Sequence, residues 1–167
     1  MALFLDIRIA TPFVVVVMSR RSRAREIVLQ VLYQDDLNAD TPEVARQRFI
    51  AGRLRGDVQL IEFAQRLLAG VQEHKDVLDE HLSKTADNWK LRRMATTDRN
   101  VLRLGAYEIL YTDTPDRVAI NEAIDLAKRY GTDNSAQFVN GVLDRLMKSK
   151  DSDSKPSAAD SSPSGKN

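Results

Sequence analysis

The chain has 167 residues, 43% of them hydrophobic, and a formal net charge of +1. That length allows about one domain with a real core. The near-neutral balance excludes a polyelectrolyte, so any nucleic-acid affinity has to come from a local cluster. Cysteine is absent, which excludes a disulfide framework, a thiol nucleophile and cysteine-bound zinc and fits a reducing, cytoplasmic setting.

Residues 1–18 differ in character from the rest of the chain. Phe13 to Val17 is an apolar run, but Asp6 and Arg8 interrupt the stretch and Pro12 would break a helix there. It is too short for a membrane span and lacks the basic start and cleavage site of a secretory signal. It reads as an N-terminal extension, either a disordered arm or the product of an upstream start site. The organised domain is expected over 19–148.

Residues 19–38 read as a basic start followed by an amphipathic helix. Ala24, Ile27, Val28, Val31 and Leu32 recur at helical spacing and predict a buried stripe. Ser19 or Ser22 is the expected cap. Arg20, Arg21, Arg23 and Arg25 crowd this start, although a helix N-terminus prefers negative side chains. The crowding costs stability and creates an electropositive patch, to which a helix-end field would add. A solvated, frayed basic end is one reading. A phosphate-binding arm is the favoured one, because arginine clusters are the usual footprint of nucleic-acid binders.

Asp40 or Thr41, followed by Pro42, starts a short helix through Val44, Phe49 and Ile50, with Thr41 as N-cap and Pro42 at N1 a favoured arrangement. Gly52 and Gly56 bracket a basic loop, Arg53 to Arg55. Asp57 then caps a long helix whose apolar face is Leu60, Ala64, Leu67, Leu68, Val71, Leu78 and Leu82, with a bend expected near Glu73 to Asp76. His74 and His81 lie two turns apart on it, too far to share a metal without other ligands. No metal or cofactor is expected. Trp89, in a polar connector, reads as a lid over the core rather than a stacking platform.

Residues 93–112 are apolar on most of the circumference, through Met94, Val101, Leu102, Leu104, Ala106, Ile109 and Leu110. Such a helix is buried between others and is the expected central post. Gly105 and Ala106 would let a neighbour approach closely. Tyr107 and Tyr111 share one face at its edge. Asp98, Arg99, Arg103 and Glu108 read as surface ion pairs. Next comes a helical hairpin, Val118 to Leu146, with Gly131 as C-cap of its first arm and Asp133 or Asn134 capping the second. Residues 149–167, rich in Ser, Asp, Pro and Lys, read as a disordered tail.

No strand pattern of useful length appears between residues 19 and 148, so the fold class is all-α, in two halves of about 20–84 and 91–148. A phosphate-binding glycine loop is missing, as is any Ser-His-Asp arrangement. The Glu122/Asp125 pair lies on one helix face with nothing to position a nucleophile. The sequence argues for a binding module and against an enzyme.

The chain resembles the NusB family of bacterial transcription antitermination factors, from about Ser19 to Leu146. VAINEAIDLAKRYG (118–131) and FVNGVLDRL (138–146) carry the resemblance. RAREIVLQVLYQ (23–34), LLAGV (67–71) and VLRLGAYEIL (101–110) support it in order. It implies two three-helix bundles packed together. It also implies binding to boxA, a single-stranded element of nascent ribosomal RNA leaders, as a heterodimer with the ribosomal protein NusE within an antitermination complex on RNA polymerase. The RNA-binding residues it implies are Arg21, Arg23 and Arg25, with Arg20 as an extra cation and Ser22 where relatives often carry arginine. Gln30, Tyr33, Phe138 and Asn140 join them. Asp98, Arg103 and Glu108 fall on the helix that faces NusE in the family. An accessory module of ribosomal RNA modification is a competing reading, since this domain also occurs fused to methyltransferases; so is a purely protein-binding adaptor. Homodimerisation is left open by the sequence.

Overall fold

Helical periodicity accounts for the described part of the chain, which in the computed structural model is residues 11–86 and 93–153. Expectations for residues 1–10, for Trp89 and for the tail beyond Asp153 lie outside the described residues. Seven helices are present there and no strand: α1 (Thr11–Leu37), α2 (Glu43–Arg53), α3 (Val58–Glu73), α4 (Lys75–Thr85), α5 (Thr96–Tyr111), α6 (Asp116–Tyr130) and α7 (Ser135–Asp153).

The largest departure from expectation is at α1, which starts at Thr11 instead of Ser19 or Ser22. Pro12 therefore sits in the first turn, where a missing N–H leaves no helical bond unmade. The arginines lie well inside the helix, so no helix-end field acts on them. Ser22 donates a hydrogen bond to Glu122 at 2.8 Å in place of a capping role. At the other end α7 runs to Asp153, past the expected boundary at Lys148. Lys150 holds it there by donating to the Ile109 carbonyl at 2.7 Å and pairing with Asp116 at 3.1 Å.

Smaller corrections concern the caps. Pro42, not Thr41, is the N-cap of α2, and Thr41 Oγ1 donates to the Asn38 carbonyl at 2.9 Å. The Asp57 cap of α3 is present, accepting from the Leu60 N–H at 3.2 Å. Gly131 caps α6 with a φ of −92°. Glycine is needed there because a Cβ would strike Ser135 and the Ala127 carbonyl.

The long third helix breaks at His74, inside the predicted bend. Its second piece, α4, leaves the first bundle and packs on α5 and α7. The N-terminal bundle is α1 to α3, and α4 joins α5 to α7 in the other. The α1 stripe is buried as predicted, and α5 is the central post, contacted by α1, α3, α4, α6 and α7. Gly105 sits so close to Leu143 and Ala123 that a Cβ would strike the leucine.

A polar hub locks the C-terminal end of α1 to four other helices. Asp36 accepts from Arg99 (2.9 Å), Asn100 (3.1 Å) and Arg103 (3.3 Å). Asp35 accepts from Arg46 of α2 and Gln72 of α3, each at 2.8 Å. Arg103 reaches Asp79 of α4 through two bonds of 2.7 Å. Burial pushes the Asp36 pKa up, but the donors from Arg99 and Asn100 and the Arg103 charge outweigh it and hold the carboxyl below its ordinary value.

Candidate nucleic-acid interface

The four clustered arginines of α1 have separate fates, decided by the helix face each occupies. Arg25 shares its face with Val28, Leu29 and Leu32, and is 3% exposed. Its guanidinium grips Glu108 in a fork, with bonds of 2.8 and 2.7 Å, and lies 3.8 Å from Glu122. Thr114 Oγ1 also donates to Glu108, at 3.1 Å. A guanidinium so enclosed and already paired with Glu108 is a structural ion, which corrects its expected place among the RNA contacts.

The other three reach the surface. Arg20 pairs with Asp57, and Arg23 with Glu26 at 2.6 Å. Arg21 has no carboxylate partner among the described residues and lies with its guanidinium 5.2 Å from the Phe63 ring centroid. Beside this row the fold sets the α2–α3 turn, which Arg55 and Gly56 make with φ values of +52° and +72°. Arg20, Arg23, Arg53 and Arg55 line one groove of about 660 Å³, with Asp57 as its sole carboxylate. Neither Arg53 nor Arg55 pairs with a carboxylate among the described residues, and Arg53 lies over the Phe49 ring at 5.1 Å.

Arg53 also lines a second groove, of about 510 Å³, and so joins the two into one surface. Gln30 and Tyr33 lie in this second groove with Tyr130. Both tyrosines are exposed, Tyr33 by 40% and Tyr130 by 37%. Gln30 donates weakly to the Tyr130 hydroxyl, at 3.5 Å, which in turn donates to Glu26. Burial raises the Glu26 pKa, but donors from Tyr130, Arg23 and Arg129 overcome it and hold the carboxyl below its ordinary value. That clamp fixes the tyrosine beside α1.

The remaining expected residues do not join this surface. Phe138 is half-buried and Asn140 exposed on α7, and neither lines the grooves beside α1. Asp98 is half-buried and accepts from Ser135 at 2.9 Å, while its Oδ1 is buried without a partner among the described residues. Arg103 and Glu108 are 5% and 1% exposed. Their reading as surface ion pairs is wrong, and their partners are Asp79, Asp36 and Arg25. Neither presents a charge to an incoming protein.

Sequence reasoning missed Arg53, Arg55 and Tyr130. The loop was visibly basic, but nothing local sets it beside α1. At its helical spacing from Ile120, Ala123 and Ala127, Tyr130 reads from sequence as one more member of an apolar stripe. Cations flanking exposed aromatic rings in a continuous groove are what a single-stranded nucleic acid needs: phosphate neutralisation and flat faces for bases.

The NusB family model matches residues 22–148. The chain belongs to the NusB family. It is 47% identical over 128 residues to the transcription antitermination protein NusB of Anaeromyxobacter dehalogenans, covering 77% of this chain and 90% of that relative. The solved NusB of T. maritima is 40% identical and superposes with a TM-score of 0.69, covering 77% and 90% of the two chains. A crystal structure of the antitermination factors NusB and NusE in complex with dsRNA matches at 28% identity and a TM-score of 0.70, covering 79% of this chain and 98% of that one. The NusB fold is thus shared over nearly all of the described helices.

Proposed function

We propose that this NusB protein is a transcription antitermination factor that binds boxA of nascent ribosomal RNA leaders together with NusE and joins the antitermination complex on RNA polymerase in the cytoplasm. The observation that carries the reading is the pair of grooves that meet at Arg53, one lined by Arg20, Arg23 and Arg55 and the other by Gln30, Tyr33 and Tyr130. Its relatives named for antitermination, and the neighbour solved with NusE and RNA, supply the biological setting.

In this reading Arg20, Arg21, Arg23, Arg53 and Arg55 contact phosphates, and Gln30, Tyr33 and Tyr130 meet bases. Arg25, enclosed and paired with Glu108, organises the surface from below. Asp98 stays a candidate for NusE contact, near the end of the aromatic groove that Thr97 lines. Arg103 and Glu108 act on the partner face only by holding α5 in place. So small a basic surface binds weakly alone, and a second protein that extends it raises affinity and specificity.

The test is fluorescence anisotropy with a boxA strand and a scrambled strand, with and without NusE, across a salt series. The expected result is a preference for boxA that sharpens when NusE is added. Equal, salt-sensitive binding to both strands, unchanged by NusE, would leave a generic basic patch on a helical adaptor.

A further inference from the structure

On the opposite flank of α1 from the Arg53–Arg55 groove, a pocket of about 550 Å³ opens between the two bundles. That is within the range of about 300–1,000 Å³ typical of small-molecule sites. One wall is Arg21 of α1 with Phe63 and Arg66 of α3. The other is Tyr107 and Tyr111 of α5 and the loop from Thr112 to Pro115. Arg25 and Glu122 also line it; Arg25 is held by Glu108 and lies 3.8 Å from Glu122, which leaves Arg21 and Arg66 as the cations without a carboxylate partner among the described residues.

Two features of that rim are open to a ligand. Arg21 and Arg66 have no carboxylate partner among the described residues. Tyr111 is 43% exposed, yet it is held in position. Its ring is stacked on Tyr107 at 5.7 Å between centroids and lies 4.3 Å from His74. Tyr107 in turn rests on Gly70, where a Cβ would collide with its ring. An exposed, braced ring in one pocket with two guanidinium groups that lack a carboxylate partner suits a ligand with a flat aromatic part and a phosphate. Asp113, on the tyrosine side, can accept from an exocyclic amino group. The polarity runs from cations on α1 and α3 to two carboxylates, Asp113 after α5 and Glu122 of α6.

We propose that this pocket is a second RNA subsite, which takes one unpaired nucleotide of the strand flanking boxA, with its base on Tyr111 and its phosphate at Arg21 and Arg66. The inference rests on the proposed RNA-binding function, and proximity favours it: Arg21 directly follows Arg20 on α1, so the pocket and the main groove flank the same turn of that helix. A strand crossing α1 passes from one site to the other.

Two strands test it, a boxA core and the same core with several unpaired nucleotides at each end, bound to the full chain. The extended strand should bind roughly 5- to 150-fold more tightly, the size of one base stacked on an aromatic ring. Tyr111→Ala should remove that gain and leave the core strand unaffected, while Tyr111→Phe keeps it. Arg66→Ala should lower the gain and flatten the salt slope of the extended strand by about 0.7. Circular dichroism checks that each variant is folded. Equal affinity for the two strands, or a gain that survives Tyr111→Ala, overturns the proposal. So does a Tyr111→Ala variant that binds both strands normally but loses NusE, which would give the pocket to the protein partner. Failure to bind the core strand at all would sink the antitermination reading alone. The pocket is then judged by amide NMR shifts at Tyr111 to Thr114 on adding adenosine and uridine monophosphates, whose absence overturns it.

Discussion

The two ends of the charged part of α1 use charge in opposite ways. Near Asp35 and Asp36 the carboxylates are outnumbered by donors from Arg46, Gln72, Arg99, Asn100 and Arg103, and the fold supplies a partner to each charge. Near Arg20 to Arg23 the cations outnumber their carboxylates, and Arg53 and Arg55 add to the excess. Arg25 lies in the second stretch but behaves like the first. Charge type therefore says little about role here. The number of partners the fold supplies to each group separates a structural ion from a ligand-binding one.

The sharpest way to break that distinction is to strip a partner from the buried set. Glu108→Ala leaves Arg25 charged and enclosed, and should lower the unfolding free energy by about 3–5 kcal/mol, measured by urea denaturation. Arg25→Ala should cost a similar amount, and any loss of RNA binding should track the unfolded fraction. Gly70→Ala drives a methyl into the Tyr107 ring and should cost about 1–3 kcal/mol by the same measurement. It should also disturb the tyrosine pair while sparing the Arg53 groove.

Acid probes the inward carboxylates without mutation. Glu26 and Asp36 have folded pKa values below their unfolded ones. Their stabilisation is fully present above about pH 5 and is lost as the pH falls below about 4, when the folded state must take up protons. Urea midpoints between pH 6 and pH 3 should fall accordingly, and Asp36→Asn should flatten the drop. The smallest effect expected is at Asp57→Asn. Asparagine caps a helix about as well as aspartate, but Arg20 loses its ion pair. RNA affinity should rise a few-fold with stability nearly unchanged, the reverse of the buried substitutions.

Much of the fold was legible because helical period and capping are local. The α1 and α5 stripes, the Asp57 cap, the break near His74 and the close approach at Gly105 all come from residues within a few turns of each other. The site was only half legible, because its sorting rule is long-range. Arg25 meets a carboxylate 83 residues away, and Arg103 one 24 residues back. Spacing suggested surface pairs within α5 for Arg103 and Glu108, and only the packing of α1 and α4 shows otherwise. One local signal did exist. Arg25 falls in register with Val28, Leu29 and Leu32, so a buried fate was readable from the helix wheel. The nearness of the Arg53–Arg55 loop to α1 had no such signal, since it depends on how α2 and α3 fold back.

The central claim is that the free, exposed arginines bind RNA and the enclosed ones hold the fold. The most direct test is the salt dependence of boxA binding by the wild type and by Arg21→Ala/Arg53→Ala/Arg55→Ala, with urea denaturation on the same samples. At about 0.7 per phosphate contact on a single strand, the triple variant should lose about 2 from the slope of log affinity against log salt while its stability stays within about 0.5 kcal/mol of wild type. An unchanged slope, or a loss of binding that appears only with a loss of stability, would contradict the division.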